Sequence, residues 1–182
     1  LLKSLKTSIQ SLSASSESSQ DSALIYPKFI ASLENLYEKT AKLNDERMVL
    51  KQLHTQLEQH FSNVYDMLDT MTKQHKKSQE VILLYDIRSS IAFAQNQTIQ
   101  YFQSRTNKTR LNFIDRFNQT KADIGAFSER QTVPEKEKRL IINLNKQLDT
   151  IKNTFFRTIQ ADRNFVFLVN VVIAGEASEL KS

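Results

Sequence analysis

The most regular pattern in the chain runs from about Ser22 to Gln74. Apolar residues stand at every seventh position: Phe29, Leu36, Leu43, Leu50, Leu57, Val64 and Met71. Leu33, Phe61 and Leu68 add a row four residues on, and Leu53 and Met67 a row three on. A strict seven-residue repeat keeps one seam of a helix facing a partner and imposes a left-handed supercoil. At 1.5 Å per residue the predicted helix is roughly 75 Å long, so it needs partners of similar length to cover its stripe. The second row turns polar in its middle, at Thr40, Arg47 and His54. Either these residues flank the seam and carry their heads to water, or they form a polar patch inside the bundle.

Shorter stripes surround this one. Leu2, Leu5, Ile9 and Leu12 mark one face of a first helix, and the serine-rich stretch that follows predicts a helix end near 17–22. His75, Lys76 and Lys77 place cations at the C-terminus of the long helix, and Ser78 suits the cap of the next. Val81, Leu84, Ile87, Ile91, Ala94, Thr98 and Phe102 form the next stripe. Residues 103–110 are all polar and predict a turn near Thr106-Asn107, the rival being a helix with a hydrophilic middle. Leu111, Ile114, Phe117, Ile124 and Phe127 form another stripe, broken around 128–133. Thr132-Val-Pro-Glu135 has capping-box spacing, with Pro134 in the first turn. It opens a last helix whose stripe reads Ile141, Leu144, Leu148, Ile151, Phe155, Ile159, Phe165, Val169 and Val172, with no breaker before Gly175.

These elements predict an all-α fold, an elongated antiparallel helical bundle in which two long helices are shared by two stacked sub-bundles. The whole chain, 1–182, reads as one domain. Its distal part is 45–159, with the two shorter central helices completing a four-helix bundle, and its proximal part is 1–44 with 160–182. The proximal part counts only three helices, so either a homodimer partner or a segment missing at the serine-rich region near 17–22 is expected to supply a fourth. The stripes run to both ends of the chain, so we expect a domain excised from a longer protein whose helices continue.

Composition narrows this further. Of 182 residues, 40% are apolar and 25% charged, a core-forming balance. Only two glycines and two prolines occur, which disfavours sheets and excludes the glycine-rich loops that cradle phosphates. The absence of cysteine excludes thiol catalysis, disulfides and thiolate metal sites. The net charge of +5 comes from basic residues scattered beside acidic ones, with no basic stripe and no interleaved aromatics, so no nucleic-acid partner is expected. No window approaches the ~20 apolar residues of a membrane span.

No residue set carries a catalytic or metal-binding motif, and no cofactor is expected. His54, His60 and His75 show no i, i+4 histidine pair. His54 and Glu58 have that spacing and read as a surface pair. Asp162 sits among apolar neighbours with Arg157 and Arg163 near it in sequence, an ion-pair setting. Arg88 and Gln95 lie one heptad apart beside the stripe that holds Leu84 and Ile91. Arg offers a planar fork suited to a carboxylate, and the amide adds a donor or an acceptor. If the two helices are antiparallel neighbours, His54 and Arg47 approach this face. Arg47, His54, Arg88 and Gln95 are therefore the candidate ligand-binding residues, for a small anionic or polar ligand. The competing account is exposed polar residues beside a core stripe.

Short helices flanking long ones resemble the periplasmic helical-bundle sensor domains of bacterial transmembrane receptors, of the helical bimodular type found in chemoreceptors and sensor histidine kinases. The stretch Phe167-Leu-Val-Asn-Val-Val-Ile-Ala-Gly-Glu-Ala-Ser-Glu179 is similar to the segment that precedes the second membrane span of such receptors. The resemblance implies a periplasmic domain of an inner-membrane receptor, flanked by membrane spans, that senses a small ligand or a periplasmic binding protein. It implies signalling along the long helices to a kinase or other output domain, as in two-component systems, and no catalysis in this segment. The alternative is a coiled-coil or helical-bundle scaffold.

Overall fold

A computed structural model of the chain describes residues 7, 11, 22–75, 80–129 and 134–179, with the backbone alone at 22–29, 173 and 176–179. Among the described residues there are four longer helices and no strand: α1 (Ser22–Gln74), α2 (Glu80–Ser104), α3 (Asn107–Ser128) and α4 (Glu135–Glu179). The fold is all-α and a helical bundle. Most of the first predicted helix, the serine-rich stretch before Ser22, the closure at Lys76–Ser78 and the Thr132 cap lie outside the described residues.

The helix ends follow local chemistry. α2 stops at Arg105, whose φ of 52° lies in the left-handed region and whose N–H donates to the Tyr101 carbonyl at 2.6 Å. Thr106 is then extended and caps α3, its side chain accepting from the Thr109 N–H at 3.4 Å. The polar stretch 103–110 thus holds a two-residue turn, not a continuous helix. At the start of α4 the Pro134 carbonyl accepts from the N–H groups of Glu137 and Lys138, at 2.9 and 3.0 Å. Proline serves here because its missing N–H would find no intrahelical partner anyway.

The chain divides into two compact units, one of residues 52–160 and one of 1–51 with 161–182. In the first, contacts fix the helix order. His60 pairs with Gln147 and His75 with Glu137 across α1 and α4. Tyr65 meets Gln95 and Asp69 meets Arg88 across α1 and α2. Asn112 meets Gln97 across α2 and α3, and Lys121 meets Asp149 across α3 and α4. Arg116 over the Phe93 ring and Phe113 against Phe155 add a second contact to each of these last two helix pairs. Between each two neighbouring helices the residue numbers run in opposite directions, so each helix is antiparallel to its neighbours and the four close a ring.

The core of this unit draws on all four helices at spacings of three and four: Leu57, Phe61, Val64, Leu68 and Met71 from α1; Leu84, Ile87, Ile91 and Ala94 from α2; Phe113, Phe117, Ile124 and Phe127 from α3; and Ile141 through Ile159 from α4. These are the stripes of the sequence except at the start of α3, where Phe113 takes the core position, Ile114 is half-buried and Leu111 is 45% exposed. At the α2–α3 end the core is aromatic. Phe155 is fully buried, 4.1 Å from Phe113, 5.7 Å from Tyr101 and 6.0 Å from Phe102 between ring centroids. The tilted and edge-on arrangements are those the ring quadrupoles favour.

In the other unit the heptad residues Leu33, Leu36, Leu43 and Leu50 are only half-buried, as are Phe165 and Val169. Met48 is 55% and Phe167 66% exposed. Asp162, by contrast, is buried. α1 and α4 meet at Gly175, where an added Cβ would lie 3.1 Å from Lys39 Nζ, so the missing side chain leaves room for the lysine.

Candidate functional site

In the 52–160 unit a cleft of about 340 Å³ opens between α1 and α2. Its volume is at the lower end for small-molecule sites. His54, Glu58, Gln95, Thr98 and Gln103 give it polar groups, and Leu57, Phe61, Ile99 and Phe102 an apolar lining. His54 and Glu58 share one face of α1 because they are four residues apart. Thr98 and Phe102 share a face of α2 for the same reason. The antiparallel pairing brings the two faces together.

Local contacts fix the lining. The His54 ring meets Phe102 edge-on at 4.4 Å. The Tyr65 hydroxyl donates to Gln95 Oε1 at 2.9 Å, which leaves the Gln95 amide N–H groups as its other hydrogen-bonding capacity. Thr98, 3% exposed, donates its hydroxyl to the Gln95 carbonyl at 2.7 Å, which leaves its oxygen an acceptor only. Burial raises the Tyr65 phenol above its ordinary value, and the Arg88 guanidinium opposes this.

The four residues singled out in the sequence go to different places. His54 and Gln95 line the cleft. Arg88 does not: it pairs with Asp69 and lies over the Tyr65 ring, 5.2 Å from its centroid. It supports the cleft indirectly, through the tyrosine that holds Gln95. Arg47 is exposed and belongs to the other unit. Of the polar row on α1, Thr40 returns its hydroxyl to the Leu36 carbonyl at 2.7 Å. Glu58 joins the site although its spacing from His54 reads in sequence as a surface pair. Phe61, Thr98 and Phe102 read as stripe members only, and Gln103 as the start of the polar turn.

Elsewhere, His75 at the end of α1 pairs with Glu137, which is 3% exposed in the first turn of α4. A shallower hollow of about 290 Å³ lies by Asn63, Asp66 and Leu140. Among the described residues no group of three or more His, Cys, Asp or Glu is placed to hold a metal ion. No helix there is long and apolar enough to cross a membrane. Comparison with known proteins finds no family model, no curated protein and no solved structure that matches the chain.

Proposed function

We propose that this chain is the extracytoplasmic sensing domain of a bacterial transmembrane receptor, and that its ligand occupies the α1–α2 cleft. The observation that carries the reading is that cleft: a ligand-sized opening, walled by apolar side chains and set with a few converging polar groups, against a helix of 53 residues. A ligand that wedges between α1 and α2 biases the packing of α1 against α4, and packed helices respond by small discrete shifts. On this reading α1 and α4 run through two stacked sub-bundles, and the shift passes along them toward flanking membrane spans. Output then belongs to a histidine kinase, chemoreceptor or related domain of the same polypeptide. A periplasmic binding protein docking on the bundle is the other form of input, and a homodimer is the expected assembly.

The test is the coding sequence on either side of the chain. One hydrophobic span on each flank is the expected result, and spans on neither side overturn the reading. The alternative, a helical scaffold, draws on the heptad row of α1 and on the exposed Met48 and Phe167. It predicts that filling the cleft leaves every cellular phenotype unchanged.

A further inference from the structure

The inventory of polar groups in the cleft points to the charge of its ligand. Glu58 is a carboxylate, and neither lysine nor arginine lines the walls. The two arginines that favour an anion are elsewhere, Arg88 held by Asp69 and Arg47 in the other unit. An anion entering here would face Glu58 with no lysine or arginine to offset it, and only His54 among the lining residues can take up a proton. A cation would gain from the Glu58 carboxylate, and the aromatic lining of Phe61 and Phe102 suits positive charge better than negative. Distances along the helices set the ligand's size. From His54 to Phe61 is seven residues, or about 10 Å. That spans a charged head and one ring or short alkyl body, with Leu57 and Ile99 beside it. The Gln95 N–H groups can hold an acceptor on the body.

We propose that the cleft binds a small organic cation, an ammonium group carrying an apolar or aromatic body, with Glu58 as its counter-ion. This deepens the sensing reading and rests on it.

The test is calorimetric titration and thermal shift of the chain with benzyltrimethylammonium, phenylacetate and benzyl alcohol. The ammonium is expected to bind saturably and raise Tm, and phenylacetate to do neither. Glu58→Gln, at an exposed residue, leaves the Tm of the free protein unchanged and weakens ammonium binding about fivefold, the upper end for an ion pair at a partly open site. Ile99→Arg, at a residue 52% exposed on the cleft, abolishes ammonium binding by repulsion without unfolding the protein. Binding of phenylacetate as tight as that of the ammonium overturns the proposal. So does full ammonium affinity in Glu58→Gln. In either case the cleft still binds ligands and the sensing reading stands. If none of the three probes binds, the cation proposal fails, and the sensing reading is decided by the flanking spans.

Discussion

Replacing Phe155 and Phe156 by alanine, one at a time, separates core from surface on a single helix. The two residues are neighbours of identical chemistry, pointing about 100° apart around α4. Phe155 is fully buried, with Phe113, Tyr101 and Phe102 around it. Truncating a buried phenylalanine costs about 3–5 kcal/mol, which combines lost transfer energy with the cavity left behind. Its three aromatic neighbours, each pair worth about 0.5–1.5 kcal/mol, place Phe155→Ala at the upper end. Phe156 is 36% exposed, and water fills the space it vacates. Its loss forfeits part of the ~1.5–3 kcal/mol of a fully buried side chain, so about 1 kcal/mol. Urea unfolding followed by circular dichroism at 222 nm reads the difference. With a slope of about 2 kcal/mol/M, Phe155→Ala lowers the midpoint by about 2 M and Phe156→Ala by about 0.5 M. Should Phe155→Ala fail to fold, Phe155→Leu keeps most of the volume and shifts the midpoint by less than about 1 M. Equal shifts for Phe155→Ala and Phe156→Ala would refute the register of α4, and with it the aromatic end of the bundle.

Three further outcomes follow from contacts in the same unit. His75→Ala strands the buried Glu137 carboxylate and costs about 1–3 kcal/mol, whereas Asp69→Ala, which breaks an exposed pair with Arg88, costs under about 1 kcal/mol; chemical denaturation of both variants measures this. Tyr65 has a folded-state pKa raised above the ordinary 10.0, so its contribution is full below that pH and is lost as pH rises through the folded value. Stability should therefore fall more steeply above about pH 10 in the wild type than in Tyr65→Phe, by thermal melts across that range. Thr106→Ala removes a long cap bond of 3.4 Å and lowers stability by about 0.5 kcal/mol, the low end for N-caps.

The helices and their buried faces were legible in the sequence because a bundle repeats one rule. A residue's neighbours at three and four positions decide which face is covered, and Leu84 through Thr98 or Ile141 through Ile159 obey it without exception. The turn at Arg105 and Thr106 was legible for a similar reason, since eight polar residues leave nothing to bury. Contacts across the ring were not. His75 and Glu137 are 62 residues apart, and nothing local marks them as partners. Arg88 reads in isolation as a free guanidinium, and only the position of α1 supplies Asp69 and the Tyr65 ring. The cleft itself was half legible. His54 and Gln95 follow from antiparallel pairing of two stripes, but the register that brings Glu58 and Ile99 to one cleft, and sets Arg88 against Asp69, depends on how the helices slide past one another.

On the sensing reading, occupancy of the α1–α2 cleft shifts α1 against α4. The chain has no cysteine, so spin labels can be placed at single positions without background. Labels at Ser62 on α1 and Asn153 on α4, both exposed, report the spacing by double electron–electron resonance. Saturation with benzyltrimethylammonium is predicted to move the distance distribution by about 1–2 Å, the scale of helix shifts in signalling proteins. A distribution that stays put while calorimetry shows the cleft filled would contradict the account.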